Sequence, residues 1–165
     1  MVDSRSNAAA KLPPPEPLPH VSRRALARVN NPLSIPCECR YCRGEVVLIP
    51  NEQVYGKPFG KWPYMYICIS CEAYVGLHPH TDLPLGTLAD KRLRTARKLH
   101  KKFFQQLLET WDKSRGQLYK WLADQMEIDS KQCHWSLFEL SDCVKAGDIC
   151  RKQLTTLRNT PSEAR

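Results

Sequence analysis

Cys39-Arg-Tyr-Cys42 and Cys68-Ile-Ser-Cys71, two C-x-x-C pairs with 25 residues between them, constrain this chain more than any other feature. The spacing lets two thiolates grip one metal ion from a tight turn, and two such turns supply the four sulfur ligands of a closed tetrahedral zinc site. The intervening length suits a β-hairpin that carries one turn over the other. A site closed by four cysteines keeps no open coordination position, so its metal is structural rather than catalytic. The expectation is one structural Zn2+ held by Cys39, Cys42, Cys68 and Cys71. Function then lies in what the surface built by that metal touches.

The chain has eight cysteines, which could also mean a disulfide framework or a redox pair. The first residues show no apolar signal region and no small-residue cleavage site, so a reducing, cytoplasmic setting is expected. A thioredoxin-like pair wants a βαβ context, which neither motif has. Cys37 offers an alternative first ligand to Cys39, although the C-x-x-C geometry favours Cys39. Cys133, Cys143 and Cys150 are scattered. With His134 they could form a second metal site, but buried core thiols are the commoner outcome.

Around the cysteine pairs the signals are β and turn. Glu45-Val46-Val47-Leu48-Ile49 follows the first pair, with Gly44 freeing the turn; Tyr64-Met65-Tyr66-Ile67 leads into the second and Ala73-Tyr74-Val75-Gly76 out of it. This order is that of a zinc ribbon, expected over residues 35–85. So small a ribbon buries little apolar surface, and metal binding would contribute on the order of 10 kcal/mol to its folding. Residues 1–34, with the run Leu12-Pro13-Pro14-Pro15-Glu16-Pro17-Leu18-Pro19, read as a disordered Pro-rich tail.

Residues 86–152 read as a helical part packed on the ribbon, and 153–165 as a frayed end. The clearest helix runs from an Asp90 cap to Trp111, with Leu93, Ala96, His100, Phe103, Phe104, Leu107 and Trp111 on one face. A second is expected from about Gln117 to Met126, and a shorter third after Ser136 or Ser141, using Leu137, Leu140 and Val144. The fold class is therefore small α+β: a four-cysteine zinc ribbon of antiparallel strands packed on two or three α-helices. No apolar run is long enough to span a membrane.

The formal net charge is +8, and residues 86–120 carry ten basic side chains against three acidic ones. Lys91, Arg94, Lys98, Lys101 and Lys102, with Arg97 at the border, form a stripe that no acid interrupts, which favours an anion-binding face. Between the cysteine pairs, Phe59 and Trp62 sit in a loop where aromatic rings, glycines and lysines interleave. Such a loop could stack bases or anchor a protein partner.

The motif order Cys39-x-x-Cys42, Val54-Tyr55-Gly56 and Cys68-x-x-Cys71-x-Ala73-Tyr74-Val75-Gly76-x-His78 resembles an uncharacterised family of phage and bacterial proteins described as zinc-finger-containing. The likeness continues through Thr81-x-x-Pro84-Leu85-Gly86-Thr87-Leu88-Ala89-Asp90, Leu93-Arg94, His100, Tyr119-x-Trp121-Leu122-Ala123 and Cys133-His134, with Phe138 and Cys143, over residues 37–150. Two departures stand out: Phe104, where the resemblance implies an acidic residue, and Trp135-Ser136-Leu137, where it implies a Gly-containing segment. The resemblance implies a zinc ribbon and a mobile-element setting, in a bacterial host cytoplasm, and no established activity.

Three function classes follow. The first is a non-enzymatic zinc-ribbon protein that binds DNA or RNA through Lys91, Arg94, Arg97, Lys98, Lys101 and Lys102. The second is a phage-type modulator that binds a host protein or defence complex, with Phe59 and Trp62 as anchors. The third is a metal-dependent nuclease drawing on His78, His80, Asp82, Asp90, His100 and His134. His100 lies on the apolar arc of its helix, where a hydrogen-bonded core histidine is the simpler reading.

Overall fold

The β-branched run after the first cysteine pair forms strand β1 (Val46–Pro50) of the computed structural model, which describes residues 1–159. β2 (Tyr64–Cys68) lies in the middle of a three-stranded antiparallel sheet, with β1 on one side and β3 (Tyr74–Gly76) on the other. The register pairs Val46 with Cys68, Leu48 with Tyr66, and Tyr66 with Val75. Because side chains alternate across a strand, Val46, Leu48, Tyr66, Cys68 and Val75 share one face, and that face is the core side.

What covers that face corrects the expectation of a disordered tail. Leu18, Val21, Leu26 and Val29 are buried in the same cluster as Val46, Tyr66, Cys68, Val75, Leu77, Leu83 and Leu88. Helix α1 (Arg23–Leu26) is a single turn capped by the Ser22 side chain, and it buries Leu26 completely. The segment is also tied by polar groups. Arg5 makes two bonds to the buried carboxylate of Asp82, at 2.7 and 2.9 Å, and a further ion pair with Asp3 at 2.7 Å. Those two carboxylates hold the Arg5 guanidinium well above its ordinary pKa. The amide of Ser22 donates to the His80 carbonyl, and that of Asn31 to the Met1 carbonyl. A Pro-rich chain cannot join a sheet ladder, but its apolar side chains can still cover one.

Between β1 and β2 the chain makes helix α2 (Glu52–Tyr55) and a loop. After β3, Leu77 pairs with Pro84 and Ala89 with Tyr74 as isolated bridges, which return residues 77–89 alongside the sheet. All of this lies in the first of two compact units, Met1–Lys91; the second is Arg92–Arg165.

The second unit is helical. α3 (Lys91–Thr110) buries Leu93, Phe104 and Leu107, as its 3.6-residue period predicts. α4 (Arg115–Met126) begins two residues earlier than expected, because Ser114 and Gln117 form a capping box. α4 packs on α5 (Leu140–Asn159), with Phe104 of α3 meeting Tyr119 of α4 at 4.6 Å between ring centroids. α5 is far longer than the short helix expected, and Val144 is exposed rather than part of its core. Of the expected frayed end, residues 153–159 are helical and 160–165 lie outside the described residues. The two departures from the family pattern meet here: the fully buried rings of Phe104 and Trp135 make an edge contact at 6.1 Å.

Candidate metal centre and basic surface

Each cysteine pair sits in the same backbone turn. In the first, the Cys39 amide donates to the Gly44 carbonyl at 2.8 Å and the Arg43 amide to the Cys39 carbonyl at 2.9 Å. In the second, the Cys68 amide donates to the Ala73 carbonyl at 2.8 Å and the Glu72 amide to the Cys68 carbonyl at 3.0 Å. The residue after the second cysteine is left-handed in both, Arg43 at φ 62° and Glu72 at φ 58°. Gly44 therefore does not free the turn, as expected from sequence. It is small because a β-carbon there would stand 2.6 Å from the Ser70 hydroxyl of the other turn.

These turns aim backbone N–H groups at sulfur. Tyr41 donates to the Cys39 Sγ at 3.4 Å. Gly44 donates to Cys42, Ala73 to Cys71, and both Cys71 and Ser70 to Cys68. Burial pushes the Cys68 thiol up, but the two amides and the Cys42 and Cys71 thiols outweigh it and bring the group down to about 6. For Cys71 the Ala73 amide pulls down, while burial and three neighbouring thiols push harder, up to about 12. One sulfur ionises readily and its neighbours then resist, since like charges this close repel one another.

A divalent cation removes that repulsion. The four ligand atoms lie within 4.8 Å of one another, with Cys39–Cys71 at 3.5 Å and Cys42–Cys68 at 3.4 Å. A disulfide needs sulfurs about 2.05 Å apart, whereas a tetrahedron with Zn–S near 2.3 Å has edges of about 3.8 Å. Buried Cys39 and Cys68 with exposed Cys42 and Cys71 thus form a donor set that fits one structural Zn2+. Cys37 stays outside this cluster, which settles the first ligand as Cys39.

A family described as a zinc-finger-containing domain matches residues 35–153. The chain belongs to that family. No curated protein matches, and no solved structure does. The zinc finger accounts for four of the eight cysteines. Among the described residues no second group of metal-binding side chains comes together. Cys133, Cys143 and Cys150 are instead buried thiols, pushed up chiefly by burial to about 11, 11 and 12. His134 stacks on Tyr119 and bonds to Ser136 Oγ at 2.7 Å.

The histidines and acids considered for nuclease chemistry have other roles or stand apart. Asp82 is taken by Arg5. His80 lies 3.1 Å from His20, ring nitrogen to ring nitrogen. Burial lowers the pKa of half-buried His78. His100 has a buried Nδ1 with no hydrogen-bond partner, so at that nitrogen it is not the hydrogen-bonded core histidine expected.

The basic stripe divides. Lys91, Lys98 and Lys102 are exposed, and so is Arg92, which lies in the same run but outside the expected stripe. Arg97 turns inward and donates from Nε to the Phe138 carbonyl at 3.0 Å. Arg94 is half-buried, and so is Lys101, whose pKa is lowered by burial and then by Arg115. Of the two loop aromatics, Phe59 is 68% exposed. Trp62 is half-buried: its Nε1 donates to the Thr81 carbonyl at 3.0 Å and its ring packs on Tyr64, His20 and His80. Among the described residues no helix is long and apolar enough to cross a membrane.

Proposed function

We propose that this zinc-finger protein binds nucleic acid without acting on it, using the exposed edge of α3. The observation that carries the reading is the presentation of Lys91, Arg92, Lys98 and Lys102 on the solvent side of a helix whose sole acid is Glu109. A solvated helix face ordinarily mixes acids with lysines at i,i+4 spacing, and α3 has none to offer there. A rigid rod of cations contacts phosphates and gives affinity with little sequence readout. The zinc has no open position and serves the fold. The family resemblance suggests a phage or mobile-element setting, and so a place in the bacterial cytoplasm.

Fluorescence anisotropy with labelled duplex across a salt series tests this. Each neutralised phosphate contributes about −0.9 to the slope of log K against log salt, so Lys98→Ala with Lys102→Ala should flatten it by about 2. A double variant that binds as the parent does would make the stripe a solvated face. The alternative of a modulator docking on a host protein would then take its place.

A further inference from the structure

The loop between α2 and β2 is braced in a way that its exposed position does not require. Asn51 is 6% exposed, and its side-chain amide bonds the Phe59 backbone twice: Nδ2 donates to the Phe59 carbonyl at 2.8 Å, and the Phe59 amide donates to Oδ1 at 3.0 Å. Its own backbone amide donates to the Pro63 carbonyl at 2.8 Å. Gly56 and Gly60 bracket the segment at φ 74° and 81°, and a β-carbon on either would meet nothing within 4 Å. They are glycines for conformation, not for space. The loop is thus held in one shape, and that shape keeps the Phe59 phenyl ring in water.

A lone exposed aromatic residue needs no explanation. Here Phe59 has company. Tyr55, 44% exposed, meets it edge-on at 5.8 Å, and Tyr74 meets Tyr55 at 6.1 Å. One edge contact covers at most one face of the Phe59 ring. Lys57 and Lys61 stand two residues to either side, both exposed, and no acidic residue occurs between Glu52 and Glu72.

We propose that Phe59 and Tyr55, flanked by Lys57 and Lys61, form a stacking platform for unpaired nucleic-acid bases. The inference rests on the nucleic-acid reading above and adds single-stranded nucleic acid as what this loop takes. In a duplex the base faces are already covered by neighbouring pairs, so an exposed phenyl ring has nothing to stack on. In a single strand every base offers a face, and the phosphates on either side meet the two lysines. The charge pattern selects an anionic occupant over a neutral protein groove, and the ring selects one with planar, exposed π faces.

The test uses the full, zinc-loaded chain in anisotropy titrations against a labelled oligothymidylate of about 16 nucleotides and a duplex of equal length. Phe59→Ala and Phe59→Leu should each weaken binding to the oligothymidylate by roughly tenfold or more, while Phe59→Trp retains it. Duplex binding should be unchanged in all three variants, with zinc content and melting temperature as controls for folding. Oligothymidylate binding by Phe59→Ala equal to the parent's would overturn the platform and leave the basic-helix reading standing. Parent-like binding by Phe59→Leu would also overturn it, since an apolar contact would then suffice and a protein partner would be the better occupant. A parent that binds neither oligonucleotide would bring down the nucleic-acid reading and the platform together.

Discussion

His100 of α3 lies against Gly147 of α5, so closely that a β-carbon on Gly147 would stand 2.3 Å from its Nδ1 and 2.8 Å from its Cβ. Glycine in mid-helix ordinarily weakens the helix, and Gly147→Ala would regain about 1 kcal/mol of propensity. Overpacking works the other way. The Cβ of His100 is fixed to its backbone and cannot swing aside, and forced methylenes in a packed core cost about 1–3 kcal/mol. The clash should win, giving net destabilisation of up to about 2 kcal/mol by urea denaturation, relieved by His100→Gly in the double variant, since alanine would keep the Cβ. A more stable Gly147→Ala protein would show that the helices separate at little cost.

The cysteines should fall into three reactivity classes. With zinc bound, an alkylating reagent should modify Cys37, which is exposed and outside the metal cluster. A chelator should release Cys39, Cys42, Cys68 and Cys71 as a group of four. Cys133, Cys143 and Cys150 should react only after unfolding. Mass spectrometry of the alkylated chain reads the pattern directly. Cys68→Ser should lose the metal and, with it, the sheet signal, because three ligands cannot hold so small a sheet together.

The N-terminal segment should be part of the stability of the first unit. Leu26 is fully buried, and Leu26→Ala should cost about 2–4 kcal/mol from lost transfer energy and the cavity left behind. Arg5→Ala should cost about 2 kcal/mol, because it leaves the Asp82 carboxylate, 4% exposed, without its cation. Asp82→Asn should restore part of that loss. Limited proteolysis that removes residues 1–30 without changing the melting temperature would contradict both expectations.

Alkali should weaken the helical unit. The thiols of Cys133, Cys143 and Cys150 are raised in the folded chain to about 11, 11 and 12, chiefly by burial. An unfolded thiol ionises near 8.5. The unfolded state therefore loses protons first, and the contribution of these groups is complete below about pH 8.5 and declines as pH rises towards 12. The urea midpoint followed by helical circular dichroism should fall between about pH 8 and pH 11, and Cys150→Ala should make that fall shallower.

The metal site was legible in the linear chain because it is built from local turns. Cys39-x-x-Cys42 and Cys68-x-x-Cys71 each close on hydrogen bonds within six residues, and the β-branched and aromatic runs at residues 46–49 and 64–67 place the strands between them. The periodicity of α3 was equally plain, since Leu93, Phe104 and Leu107 recur on one arc. Ser114 and Gln117 were a readable start signal for α4 at a spacing easily passed over.

Other features depended on partners far away in the chain. Only Arg23–Leu26 is helical in the segment that holds Leu18, Val21, Leu26 and Val29, so no regular element marks them as core; the uncovered face of Val46, Tyr66 and Val75 makes them so. Asp82 looks like a candidate ligand until Arg5 is seen on it, 77 residues away in sequence. Trp62 and Phe59 stand three residues apart in one loop, and only the fold packs the first against Tyr64, His20 and His80 while Asn51 holds the second in solvent. Local hydrogen bonding and periodicity are written in neighbouring residues, whereas burial is a property of whatever surface the rest of the chain brings near.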